Sequence, residues 1–160
     1  MSSTDNDGRH DFDFFHGTWK FHNRKLEERL AGSDTWLEFD GYLACKEILG
    51  GLGNIDDGIL ETDSEPIHCL TLRLFNPQTR EWSLYWSDSR HGVLVPPMIG
   101  KFENGRGEFF AHETHKDQHI FSRFIWSDIT ETSCHWEQAF SADGGKSWET
   151  NWTMDFIRQV

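Results

Sequence analysis

Apolar and polar residues alternate along most of this chain, and alternation with a period of two marks strands with one buried face. The pattern is clearest in the last quarter, Cys134 to Phe156. Asp143-Gly144-Gly145 interrupts it and predicts a hairpin turn, because glycine reaches positive φ without steric cost. With those residues as the loop, Ala142 faces Lys146. One face then carries Trp136, Gln138, Phe140, Trp148, Thr150, Trp152, Met154 and Phe156. That face predicts a core wall. The other, with His135, Glu137, Glu149, Asn151, Thr153 and Asp155, predicts a mostly wet one.

The same reading runs through the rest of the chain. Asp11 to Phe15 predicts a short helical turn that plugs aromatics against a sheet. Gly17 to Arg24 predicts a strand with Trp19 and Phe21 on one face and Lys20, His22 and Arg24 on the other. Lys25 to Leu30 either prolongs it or turns, since Leu26 and Leu30 are four apart. Thr35 to Leu49 reads as one long strand, or two with a bend at Gly41. The glycine cluster Gly50 to Asn54 and then Asp56-Asp57-Gly58 read as a sharp bend or a close backbone approach. No helical pattern follows them, so they do not read as a phosphate cradle. Strands are predicted at His68 to Phe75, at Glu81 to Asp88, with Trp82, Leu84 and Trp86 on one face, at Met98 to Phe102, at Glu108 to Thr114 and at His119 to Trp126. Pro96-Pro97 makes Ser89 to Pro97 an irregular loop. About nine or ten strands with short connections form a meander, and a meander of that length closes into a barrel to remove its edges. The expected fold class is therefore all-β: a single antiparallel meander closed into one barrel domain, 11–160, behind a flexible polar tail, 1–10.

Several of these stretches resemble a bacterial family of lipocalin-like (calycin-type) proteins. They are Phe12-Asp13-Phe14-Phe15-His16-Gly17-Thr18-Trp19, Gly50 to Asn54, Leu72-Arg73-Leu74-Phe75, and the block from Trp136 to Trp152. The resemblance covers nearly the whole chain beyond the tail. It implies a β-barrel around a cavity and implies no reaction. Lipocalins close one barrel end by stacking an arginine near the last strand on the indole of Gly-x-Trp. The resemblance implies that Arg158 does this to Trp19, a cation–π contact of about 0.5–2 kcal/mol. Ser141 to Trp148 also resembles the Asp-box of sialidase propellers, a hairpin brace, but a propeller needs repeated copies and this chain has one.

Composition sharpens the picture of the interior. Aromatics are 14% of the 160 residues, with 8 Trp and 13 Phe against 2 Tyr, which suits a wide space between sheet walls. The net charge of −12, from 27 acids against 15 bases, repels phosphate backbones and anionic membrane surfaces, so neither nucleic acid nor membrane is an expected partner. Cys45, Cys69 and Cys134 are odd in number and far apart. A disulfide framework is not expected, and a reducing cytoplasm is.

Few residues carry chemistry. His112 and His115 are three apart, so on a strand they diverge and do not chelate. Cys134 and His135 face apart and make no nucleophile pair. No histidine stands out as a haem ligand, and no cofactor or metal is expected. Asp11, Asp13, Glu61, Asp63 and Glu65 read as solvated charge. Arg73 and Arg123 differ, because each sits in an apolar strand. A buried arginine must find an anion, either an internal one such as Glu137 or a ligand's acidic group.

The leading expectation is a cytoplasmic barrel that binds a small, largely apolar ligand bearing an acidic group. Trp82, Trp86, Trp136, Phe140, Trp152 and Met154 would line it, and Arg73, Arg123, Gln138 and Thr150 would orient the ligand. A homodimer is left open. One alternative is a barrel enzyme of proton transfer or isomerisation with His22 or Glu137 as base. Another is an interaction module whose own aromatics fill the core.

Overall fold

The computed structural model of the chain describes residues 7–160. Ten strands follow in order: β1 (Gly17–Leu26), β2 (Trp36–Ile48), β3 (Gly53–Glu61), β4 (Ile67–Asn76), β5 (Glu81–Asp88), β6 (Met98–Glu103), β7 (Arg106–His115), β8 (Gln118–Ser127), β9 (Ser133–Ser141) and β10 (Glu149–Arg158). Each pairs antiparallel with the next, and β10 returns to β1, closing the barrel. The closed antiparallel meander is the barrel expected from the alternation, and its ten strands agree with the lipocalin-like barrel that the resemblance implies. No helix among the described residues is long and apolar enough to cross a membrane.

Alternation places the core as predicted at β1, where Trp19 and Phe21 point inward and Lys20, His22 and Arg24 outward. β2 runs unbroken through Gly41. The missing side chain there admits the ring of Phe21, which a Cβ would approach to 2.4 Å. The seam between β5 and β6 is short, three residue pairs from Trp82↔Gly100 to Leu84↔Met98. Beyond it the loop after β5 lies over the open end of the barrel, tied back by the Val95 amide donating to the Trp86 carbonyl at 2.9 Å.

The other end is sealed. A single 3₁₀ turn, Asp13–Phe15, sets Phe12 and Phe15 fully inside. Phe12 meets Trp82, Phe102 and Trp126 edge-on at centroid distances of 5.0, 4.8 and 5.6 Å. Phe15 stacks on Trp19 at 5.3 Å. The indole N–H of Trp19 donates to the Phe15 carbonyl at 2.9 Å. Arg158 lies over the other side of this plug, 4.3 Å from the Trp19 ring, and donates to the Phe14, His16 and Glu131 carbonyls. The polar tail expected over 1–10 falls partly outside the described residues. Gly8 belongs to the seal, its carbonyl accepting the Trp82 indole N–H at 3.0 Å.

Two expectations are corrected here. The glycine cluster bends the chain, and the close backbone approach is found at Gly58, where a Cβ would lie 2.4 Å from the Tyr42 carbonyl oxygen, but the acidic stretch is strand β3, with Asn54 and Asp56 buried. The last hairpin has a longer loop, residues 142–148, and a β-bulge between Thr150 and Trp152. Asp143 braces the loop by accepting from the Ser147 amide at 2.9 Å and the Ser141 hydroxyl at 2.8 Å. The extra residue at the bulge, Asn151, reverses the facing of everything before it. Trp148 therefore packs on the outer wall, 5.5 Å from the Phe121 ring, and Thr150 lies across from Ala139 and not on the Gln138 side.

Candidate ligand cavity

Above the plug the barrel is hollow. The cavity measures about 380 Å³ and opens at the end opposite the 3₁₀ turn. That is the lower part of the roughly 300–1,000 Å³ range of small-molecule pockets. A core filled by its own aromatics is thus true only of the lower half.

The floor is an ion pair. Arg73 on β4 and Asp56 on β3 point inward with side chains 4% and 3% exposed, and Arg73 Nη2 lies 2.7 Å from Asp56 Oδ2. Arg73 Nη1 donates to Asn54 Oδ1 at 2.9 Å, and its guanidinium sits 5.0 Å from the Phe15 ring and 5.6 Å from Trp126. Arg73 meets Asp56 through Nη2, and its Nε has no hydrogen-bond partner among the described residues, so one close contact and not a bidentate fork joins the pair. Burial pushes the Asp56 carboxyl above the ordinary range, and Arg73 opposes that shift. The partner of Arg73 is therefore internal, but it is Asp56. Glu137 faces the outer wall, where His135 Nε2 meets it at 3.2 Å.

The walls are aromatic. Trp152 on β10 meets Trp136 edge-on at 5.6 Å and Trp86 at 6.2 Å, and its N–H donates to Asn23 Oδ1 at 2.9 Å. Phe124 abuts Trp136 at 4.9 Å. Gln138 donates to Asn151 Oδ1 at 2.8 Å, so the bulge residue fixes the amide of a cavity side chain. Phe140 and Met154 complete the lining from the last hairpin.

The mouth is cationic. Lys25, at the end of β1, lies 4.4 Å over the Trp152 ring, and Arg29 lies 5.1 Å over Phe140. Neither makes an ion pair among the described residues. Arg90 is held by buried Asp88, which accepts from its amide and its Nη2 at 2.9 Å each, and from Trp86 Nε1 at 3.1 Å. Those bonds hold the Asp88 carboxyl well below its usual range. Glu113 and His91 also reach the rim. Burial, with Arg29 and Arg90 nearby, brings Lys25 down to about 8.

Of the residues expected at the site, Arg73, Trp86, Trp136, Gln138, Phe140, Trp152 and Met154 line this cavity. Trp82, Arg123 and Thr150 do not. Trp82 faces inward but belongs to the sealed end. Arg123 faces outward and stacks on Trp148 at 4.3 Å, because the outer wall of β7 and β8 is itself apolar there. Thr150 is turned away by the bulge. The bases named for an isomerase, His22 and Glu137, are on the outer wall, His22 bridging Asp40 and Glu38 at 2.9 Å each. His112 and His115 diverge as expected. His112 stacks outside on Phe121, and His115 meets Phe140. The three cysteines are buried, and burial raises Cys45 to about 11 and Cys69 and Cys134 to about 12. Lys25, Arg29, Arg90 and Asp56 were missed. Continuing the parity of Trp19 and Phe21 by two more steps, through Asn23, finds Lys25. No comparable signal marks Arg29 or Arg90, which lie in loops.

A sealed plug, a closed ten-stranded meander and an aromatic cavity with one open mouth define a lipocalin-like barrel. No family model matches the chain, and no curated protein does. Among solved structures, the chain is similar to the S-type phycobiliprotein lyase CPES from Guillardia theta. The TM-score is 0.62 at 13% identity, over 100% of this chain and 99% of that one. It is also similar to EF1p2_mFAP2b bound to DFHBI, with a TM-score of 0.51 at 10% identity over 95% and 99% of the two chains. At these identities the likeness concerns the fold.

Proposed function

We propose that this protein binds a small, largely apolar molecule through its aromatic cavity, with an acidic group of that molecule held at the mouth. The observation that carries the reading is the rim: in a chain of net charge −12, Lys25 and Arg29 crown an apolar cavity without an ion-pair partner among the described residues, Glu113 being the carboxylate that acts on Arg29 from the rim. Desolvated cations in a low-dielectric mouth attract an anion far more strongly than exposed ones do. The floor is not the place for the acid, since Asp56 already neutralises Arg73 and would repel a second carboxylate. The solved barrel with DFHBI bound shows that a chain of this general shape holds a small molecule, which supports the reading by analogy of fold.

Two tryptophan-quenching probes test it, anilinonaphthalene sulfonate and neutral phenylnaphthylamine. Arg29→Gln and Arg90→Gln should each weaken the anionic probe about five- to tenfold, the scale of losing one charge-assisted contact. The neutral probe should hardly change. Equal losses for both probes would remove the acid from the reading, and no binding by either would remove the ligand.

A further inference from the structure

We infer that Lys25 is a covalent capture site for apolar aldehydes, forming an imine with a carbonyl at the cavity mouth. The inference rests on the proposed function only in needing the cavity to admit an apolar chain through that mouth; it does not need the ligand to be acidic. Lys25 lines the cavity, half-buried, with its nitrogen 4.4 Å over the face of Trp152, so a carbonyl whose apolar body lies among Trp86, Trp136 and Trp152 ends beside it. The charged groups acting on it are Arg29, Arg90 and Asp88, and Asp88 is already engaged by Arg90, His91 and Trp86. Glu113 and His91 share the rim. No carboxylate makes an ion pair with Lys25 among the described residues. An ammonium there is both desolvated and repelled, so it gives up its proton more readily than an exposed lysine does, at about 8, while remaining mostly charged at neutral pH. Burial beside other cations is a known way of making a lysine nucleophilic towards carbonyls.

The chemistry closes without a further reactant. The amine lone pair forms the C–N bond, and the carbonyl π pair moves to oxygen. The two amine hydrogens leave with that oxygen as water. Water at the open mouth reverses the step, so capture is reversible. A protonated imine keeps the positive charge where the ammonium stood.

The test is to incubate the intact protein with naphthaldehyde and sodium cyanoborohydride near neutral pH and to map the reduced adducts by peptide mass. Lys25 should be labelled at least about tenfold faster than Lys20, Lys46, Lys101, Lys116 or Lys146, because an ordinary lysine, near 10.4, holds far less free amine at that pH. Lys25 labelling should level off above about pH 8, while the others keep rising. Labelling of Lys25 no faster than that of the exposed lysines would overturn the inference. If naphthaldehyde still quenches tryptophan emission in that case, the cavity stands and only capture falls. If it neither quenches nor labels, both fall.

Discussion

Arg73→Met should destabilise the barrel by about 3–5 kcal/mol, the cost of leaving one partner of a buried ion pair without the other. Asp56 would remain behind with a 3% exposed side chain and no cation in the place beside Phe15 and Trp126 that the guanidinium fills. The loss should depend on pH with a definite sign. Burial already raises the Asp56 carboxyl, and removing Arg73 removes the principal force lowering it. A carboxyl raised above its unfolded value of about 3.9 favours folding below that value and loses the contribution as pH rises through its folded one. The variant's deficit should therefore shrink as pH falls from neutral towards 4. Replacing both partners, Arg73→Met with Asp56→Leu, should return stability to within about 1 kcal/mol of the original, since an apolar pair of similar volume commonly serves as well. Denaturant unfolding followed by tryptophan emission measures all three chains. A single-variant cost below about 1 kcal/mol, or a double variant as weak as the single, would show that the pair does not bear on the floor as described.

Trp19→Ala should cost a similar amount, about 3–5 kcal/mol, as for a large core aromatic. The indole is fully buried, stacks on Phe15, donates to the Phe15 carbonyl and carries Arg158 on its ring. Arg158→Ala should cost less, because its bonds run to backbone carbonyls at a partly wet end. The two losses should not add. Removing Trp19 loosens the very turn whose carbonyls Arg158 holds, so a double-mutant cycle should show coupling of about 0.5–2 kcal/mol. Additivity within about 0.5 kcal/mol would mean that the arginine pins the turn independently of the ring.

The fold was legible because alternation survives in nearly every strand. β5 was read to the residue, and the plug was visible in Phe12, Phe14 and Phe15 before Gly17. β3 was not, because of its inward positions Asn54, Asp56, Gly58 and Leu60 only the last is apolar and large, and buried polar residues are invisible to a hydrophobic code. Arg73 and Arg123 looked alike, each within an apolar strand. Only packing separates them: β8 is apolar on both faces because Phe110, Phe121 and Trp148 cover its outside. The bulge at Asn151 has no sequence mark, yet it moved Trp148 and Thr150 off the cavity wall. The cationic mouth went unseen because it is assembled from a strand end and two loops, where neither period nor parity holds.

The central claim is that an apolar acid enters the barrel with its charge at the mouth. Soaking crystals with an ω-bromo fatty acid locates both ends of such a ligand at once. The bromine's anomalous signal should lie deep in the cavity above Arg73, with the carboxylate between Arg29, Arg90 and Lys25. A bromine outside the barrel, or a carboxylate bound down at Arg73 and Asp56, would contradict it.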